Sequence, residues 1–333
     1  MAVDWHVALS DLDMVADVTS LGRKVAARAA HDLEAFFGTG WLARATARAT
    51  AAQARTAIAG LADYWPSSGT AGAYGNVIGL WASLQLLVDA QVRGIGGIRK
   101  SLRTNLQEVA FRHALTQVRL AAQAVVAGYH VVLEPSKPDG VPGDLSVTHA
   151  GTEVFLEIKT FNPDRAGSGL RTRLWRDLDK KARQTNAAGT AWVWVQDNSN
   201  TLWPLTPKVQ ALRELVNPLF DMHPHLAGVV LSSASMPDGV GGHLDARLPE
   251  GLGFRRMLPG AKVRESIVLH RPFVVPGQLA LITGLCADEP VWLDRALLRL
   301  GIPGGLASLT SSSIIPEVEH PELLLRSRHG HAQ

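Results

Sequence analysis

The stretch that decides the fold runs from Gly143 to Thr160 and reads GDLSVTHAGTEVFLEIKT. Apolar and polar residues alternate on either side of a short segment, His149 to Thr152, which is the pattern of two β-strands joined by a turn. Successive side chains of a strand point to opposite faces of a sheet. The second strand therefore presents an apolar face made of Val154, Leu156 and Ile158.

The polar face of this predicted hairpin carries the groups of chemical interest. Asp144 opens the first strand and Glu157 lies near the end of the second, so pairing would bring the two carboxylates together. Two close negative charges push one pKa upward unless a cation lies between them. Mg²⁺ suits such oxygen ligands, and it lowers the pKa of a bound water that can attack a phosphate. Lys159 would hold that water or stabilise charge on the phosphate. The hairpin thus predicts a magnesium-dependent phosphodiesterase site.

An acidic residue two positions before a lysine is not specific by itself. With 30 acidic residues and eight lysines in a chain of 333 residues, chance predicts about 0.7 such matches. A second match, Asp179 to Lys181, falls in a charged helical stretch and is interpreted as solvated surface. The first match gains weight from its context, an alternating strand with an Asp at hairpin distance. The alternative is that Glu157 and Lys159 form a surface salt-bridge ladder on an exposed strand face.

Residues 101–197 resemble the PD-(D/E)xK nuclease superfamily, which has the restriction-endonuclease-like fold. The family pattern is helix, strand, strand carrying Asp, strand carrying (Asp/Glu)-x-Lys, helix, strand. Glu157 and Lys159 match the second element, and Asp144 matches the first, although Pro142 stands one position earlier than the family pattern places it. The matching segments are a helix over 102–127, strands over 129–134 and 191–196, and a helix over 171–186.

The resemblance implies further site residues. Many members carry a Glu on the first helix and a Gln or Lys on the second, for which Glu108 and Gln184 are the candidates. The carbonyl of Ile158 is a further expected metal ligand beside the two carboxylates. Mg²⁺ is the implied cofactor, with Mn²⁺ as an expected substitute, and DNA is the implied substrate, favoured over RNA. A homodimer would let two such sites cut both strands.

A basic segment follows the second strand, and it predicts contacts to a phosphate backbone. It is interrupted by Asp164, Asp177 and Asp179, so a solvated helix face with intrahelical ion pairs is the alternative. The candidate nucleic-acid-binding residues are Arg165, Arg171, Arg173, Arg176, Lys180, Lys181 and Arg183.

Composition sets outer bounds on the function. The net charge of only +3 excludes a generally basic nucleic-acid coat protein, and the single cysteine, Cys286, excludes an intramolecular disulfide framework. Acidic residues interrupt the N-terminus, so no signal peptide is predicted. The apolar run over 77–88 is too short to cross a bilayer. We therefore expect a cytoplasmic protein without a membrane partner.

The expected fold class is α/β, a restriction-endonuclease-like mixed sheet flanked by helices and preceded by an all-helical N-terminal domain. The expected domains are a helical domain of unknown role over 1–97, the nuclease-like domain over 98–275 and a C-terminal extension over 276–333. A linker is predicted over 93–97. Further strands are predicted over 226–232, 263–270 and 279–283, and further helices over 206–219 and 291–300.

Other constellations favour structural interpretations. His223 and His225, with His243, lack the spacing of a metal site and are interpreted as loop residues. Trp192, Trp194 and Trp203 are expected in the core rather than stacked on bases. Two further functions remain open: an RNA-cleaving toxin or effector with the same residues, and a non-catalytic nucleic-acid-binding or assembly protein that keeps the fold.

Overall fold

The computed structural model describes residues 19–41, 71–104, 108–135, 143–161, 169–185, 191–197, 209–235, 252–254, 263–288 and 292–309. The described helices are α1 (Ser20–Phe37), α2 (Ala71–Asp89), α3 (Ile95–Thr104), α4 (Glu108–Val126), α5 (Leu170–Gln184), α6 (Val209–Met222), α7 (Pro276–Asp288) and α8 (Trp292–Arg299), followed by a 3₁₀ helix (Gly305–Leu309). The described strands are β1 (His130–Leu133), β2 (Leu145–His149), β3 (Thr152–Phe161), β4 (Ala191–Asp197), β5 (Leu226–Ser235), β6 (Leu252–Phe254) and β7 (Val263–His270).

The strands form one mixed sheet in the order β1-β2-β3-β4-β5-β7-β6. The pairs β3–β4 and β4–β5 are parallel, whereas the other neighbours are antiparallel. Each parallel pair is connected through a helix, α5 or α6, as parallel strands require. The order α4-β1-β2-β3-α5-β4 is the order of elements predicted for residues 101–197.

Helices cover both faces of the sheet, which gives an α/β architecture. On one face α5 and α6 pack against alternate residues of the central strands, including Val193 and Val195 of β4. On the other face Trp192 and Trp194 are fully buried with the remaining helices, as predicted for these tryptophans. The described helices of the first hundred residues share this second core. None of the described helices is long and apolar enough to cross a bilayer.

The β2–β3 hairpin forms as predicted. Its turn contains Ala150 and Gly151, both with positive φ, at 47° and 77°, the backbone of a tight hairpin turn. The apolar face of β3 is buried, with Val154 and Ile158 at zero exposure. This face anchors the strand, so the polar side chains at alternate positions must point to the opposite surface.

Two local predictions were wrong. Residues 279–283, predicted as a strand, lie within helix α7, because a short apolar run does not distinguish a buried strand from a buried helix. Pro276 is the first residue of that helix, a position that favours proline. Residues 93–97 do not form a linker, since Arg93 makes a β-bridge to Val132 and α3 begins at Ile95.

The first predicted helix of the nuclease-like segment, 102–127, corresponds to the end of α3 and to α4, with residues 105–107 outside the described ranges. Gly128 ends α4 with a positive φ of 85°, as expected for a C-terminal glycine. The helix predicted over 206–219 is found as α6, and its first residues lie outside the described part of the chain.

Candidate functional site

Asp144 and Glu157 converge on one cationic nitrogen. The antiparallel register pairs Leu145 with Leu156, so the next position outward brings Asp144 alongside Glu157. Nζ of Lys181 lies 2.9 Å from Oδ2 of Asp144 and 3.3 Å from Oε2 of Glu157. The two carboxylate oxygens are therefore no further apart than the sum of these distances. The convergence predicted from the alternation of the hairpin is found.

Asp144 is held from several sides. Its Oδ2 accepts the backbone N–H of Ile158 at 2.7 Å. Its Oδ1 accepts from Nε2 of Gln117 at 3.1 Å and lies 3.2 Å from Nε2 of His113. His113 and Gln117 are four residues apart on α4, so they share one helix face. This carboxylate is therefore fixed in place by the hairpin, by α4 and by α5.

The same contacts set the ionisation of Asp144. Burial alone would raise its pKa, but the hydrogen bond with His113 and the charge of Lys181 outweigh that effect. The pKa of Asp144 is consequently held well below its ordinary value. Asp144 is thus a carboxylate, available to a cation, over the whole physiological pH range.

Glu157 and Lys181 are both enclosed. The side chain of Glu157 is 6% exposed and that of Lys181 is 17% exposed. Lys181 is placed by the packing of α5, whose Leu174, Leu178 and Ala182 are buried against β4 and α6. These three residues fix the rotation of the helix about its axis. Lys181 therefore lies at the edge of the buried face of α5. Enclosing these charges costs desolvation, and the attraction between the ammonium and the two carboxylates opposes that cost.

Lys159 lies on the same face of β3 as Glu157 but has a different partner. Its Nζ is 3.2 Å from Oδ2 of Asp177, on α5. Asp177 precedes Lys181 by one helical turn of α5, so the Lys159–Asp177 pair is carried on the same helix as the lysine that contacts Asp144 and Glu157. The ammonium between Asp144 and Glu157 is thus that of Lys181 and not that of Lys159.

The second acidic-x-Lys match was wrongly interpreted as solvated surface. Asp179 is buried, as 5% of its surface is exposed. It lies 2.8 Å from Nε2 of His223 and accepts from Nη2 of Arg183 at 2.5 Å. Burial would raise the pKa of Asp179, but these two partners lower it below its ordinary value. These contacts link α5 to the turn after α6. His223 and His225 lie in that turn, outside any helix or strand, as predicted.

The basic residues of α5 divide into three groups. Arg176, Lys180 and Arg183 are exposed, and with the half-buried Arg173 they recur every three or four residues along one face. We call these four residues the basic stripe. Arg171 instead donates to the carbonyl of Ala211 on α6 at 3.3 Å. Lys181 lies between the two carboxylates, and Arg165 is outside the described residues.

The roles of the remaining predicted residues, Glu108, Gln184 and the carbonyl of Ile158, stay predictions. Glu108 is the first residue of α4, and its side chain lies outside the described part of the chain. Gln184 is exposed at the end of α5. Ile158 contributes its N–H to Asp144, and a role for its carbonyl stays a prediction.

Sequence reasoning missed His113, Gln117 and Asp177 and assigned Lys181 to another role. The available signal was modest: Gln117 is buried on α4, and a buried polar side chain requires a partner. That partner, Asp144, comes from outside the helix.

The donor chemistry of this site fits a divalent ion. Among the residues that the structure describes, no group of three or more His, Cys, Asp and Glu side chains has the arrangement of a metal site. Mg²⁺ nevertheless needs only one or two protein carboxylates, with water and phosphate as its other ligands. Asp144 and Glu157 supply two carboxylate oxygens that converge on one cationic group, the ammonium of Lys181.

Searches for related proteins gave no match to any family model, any curated protein or any solved structure.

Proposed function

We propose that this protein is a Mg²⁺-dependent nuclease that hydrolyses phosphodiester bonds, with DNA as the favoured substrate. The observation that carries the proposal is the convergence of Asp144 and Glu157 on the ammonium of Lys181 at the end of the β2–β3 hairpin. The resemblance of residues 101–197 to the PD-(D/E)xK superfamily points to the same two residues. Restriction or defence against foreign DNA is the biological role that such an enzyme would fit.

Each residue of the site has a proposed task. Asp144 and Glu157 hold the ion, and the carbonyl of Ile158 completes its protein ligands. A bound Mg²⁺ would polarise the phosphoryl group and lower the pKa of its water. Lys159, two residues beyond Glu157 on the same face of β3, orients that water. His113 and Gln117 keep the Asp144 carboxylate pointed at the ion, as outer partners of metal ligands do.

The basic stripe supports a polyanionic substrate. Arg173, Arg176, Lys180 and Arg183 lie on the helix that also carries Lys181, so α5 would contact a phosphate backbone through one face and the two carboxylates through Lys181. Glu108 and Gln184 remain proposed contributors, as the family resemblance implies. The preference for DNA over RNA comes from the family resemblance alone, and the substrate panel below tests it.

The test compares labelled duplex DNA, single-stranded DNA and tRNA, each incubated with purified protein in Mg²⁺ or in EDTA. We expect duplex DNA to be cleaved in Mg²⁺ and left intact in EDTA. Glu157→Gln should lower the rate at least about 100-fold, a typical cost of losing one catalytic electrostatic partner. Glu153→Gln, at an exposed carboxylate on the same strand, is the matched control and should retain the wild-type rate. Cleavage of tRNA alone would identify an RNA-directed enzyme, and cleavage of none would contradict the proposal.

A non-catalytic function is the second candidate, and one observation favours it. Lys181 pairs with both carboxylates and Asp177 pairs with Lys159, so each of these charged groups has an ionic partner within the protein. A nucleic-acid-binding or assembly protein would use these ion pairs only to stabilise the fold. Under that alternative, Glu157→Gln would leave nucleic-acid binding unchanged and no substrate would be cleaved by any variant.

A further inference from the structure

Lys181 occupies the position that a divalent ion would need. Its ammonium contacts the same two carboxylate oxygens, at 2.9 Å and 3.3 Å, that the proposed function assigns to the ion. We propose that Lys181 is an internal competitor of the divalent ion, which binds only by displacing the ammonium. This inference rests on the proposed metal site and adds a mode of regulation to it.

The contacts of Asp144 show why both cations do not fit together. Oδ1 already faces His113 and Gln117 on α4, and Oδ2 already accepts the N–H of Ile158. Of the partners of Oδ2, Lys181 is the one carried on a long flexible side chain, whereas Ile158 contributes fixed backbone. An ion within about 2 Å of the same oxygen would also repel the ammonium. Lys181 therefore has to leave when the ion enters.

The structure offers the displaced ammonium a second acceptor. Asp177 precedes Lys181 by four residues on α5, and an acidic residue four positions before a lysine is the favourable order for an intrahelical pair. Asp177 now binds Lys159 at 3.2 Å. Arrival of Lys181 at Asp177 would weaken that pair and release Lys159, which lies on the face of β3 that carries Glu157. The exchange thus delivers Lys159 to the site only when the ion is bound.

The direct test measures Mg²⁺ affinity by isothermal titration calorimetry with the metal alone. Lys181→Met should bind Mg²⁺ about tenfold more tightly than the wild type, because a charged hydrogen-bonding competitor is removed. Lys100→Met, which removes an exposed lysine of α3, is the charge-matched control and should bind as the wild type does. Glu157→Gln should lose binding in either background, which identifies the site being titrated.

The outcomes separate this inference from the proposed function. Equal or weaker binding by Lys181→Met, together with loss of binding in Glu157→Gln, would overturn the competition and leave the metal site in place. No binding by the wild type and by Lys181→Met alike would overturn both.

A second measurement uses the wild-type protein and does not depend on the folding of a variant. Brief treatment with an amine-acylating reagent, followed by peptide mass spectrometry, reports the accessibility of each lysine. Saturating Mg²⁺ should increase the labelling of Lys181 several-fold relative to Lys100, because the ammonium leaves its enclosed position between two carboxylates. Unchanged or reduced labelling of Lys181 at a Mg²⁺ concentration shown to saturate the site would contradict the displacement.

Discussion

The ammonium of Lys181 lies 2.9 Å from Oδ2 of Asp144, although 37 residues separate them along the chain. Asp144 stands at the mouth of the β2–β3 hairpin, whereas Lys181 belongs to the helix that crosses from β3 to β4. Their contact joins the strand that supplies one carboxylate to the helix that carries the basic stripe. It therefore connects the chemistry of the site with the surface proposed to bind the substrate.

Replacing Lys181 should lower the stability of the fold more than replacing Lys159. Lys181→Met removes the ammonium that pairs with both Asp144 and Glu157, which we expect to cost about 2–4 kcal/mol of unfolding free energy. Lys159→Met removes a more exposed pair with a single carboxylate and should cost less than about 1 kcal/mol. Urea denaturation in EDTA measures both values. Equal losses in the two variants would show that Lys181 does not stabilise the fold through both carboxylates.

His113→Ala should weaken the site without removing a metal ligand. The variant frees the Asp144 carboxylate from one of its two partners on α4, and loss of an outer partner typically costs about 10-fold to 100-fold in metal affinity. Mg²⁺ titration and the Mg²⁺ dependence of cleavage measure this effect. A purely structural role would change the unfolding free energy and leave the Mg²⁺ dependence unaltered. His31→Ala, at an exposed histidine of α1, serves as the control.

The buried Asp179 should make stability depend on pH at the acid end. Its partners His223 and Arg183 lower its pKa in the folded protein below the ordinary value of 3.8. Stability from this group is therefore complete above the ordinary Asp range and is lost as pH falls through the lower folded-state pKa. Asp179→Asn should reduce the unfolding free energy at neutral pH, and the gap to the wild type should narrow in acid. A gap that stays constant down to strongly acidic pH would contradict this assignment.

Reversing charges on the basic stripe should weaken nucleic-acid binding in a salt-dependent way. Arg176→Glu and Lys180→Glu remove phosphate contacts, so each should reduce the slope of log affinity against log salt by about one. Fluorescence anisotropy with labelled duplex DNA, measured in EDTA over a series of salt concentrations, reports the slope. Lys100→Glu makes the same charge change on α3 and should leave the slope as it is. Equal effects of all three variants would indicate a response to net charge alone.

The hairpin and its two carboxylates were predictable from the sequence because their geometry is local. Alternation fixes which side chains of β3 share a face, and the turn at Ala150 and Gly151 fixes the register that brings Asp144 next to Glu157. The same local logic predicted β7 over Val263–His270 with its observed bounds. These features depend on neighbours within about twenty residues, where pattern and turn geometry determine the outcome.

The partners of the two lysines were not predictable, because they depend on how α5 rotates against the sheet. The sequence places Lys159 on the correct face of β3, yet its contact with Asp177 is set by the packing of the helix. A charged segment with lysines is equally compatible with a solvated surface, and only the burial of Leu174 and Leu178 determines that Lys181 turns inward. Tertiary packing therefore decides which ammonium reaches the carboxylates.

The most direct test of the account is a crystal structure of the protein grown with Mn²⁺, with anomalous scattering used to locate the ion. We predict one anomalous peak about 2 Å from carboxylate oxygens of both Asp144 and Glu157, with the Lys181 ammonium moved toward Asp177. No peak at saturating Mn²⁺, with Lys181 still bridging the two carboxylates, would contradict the claim that they form a metal site.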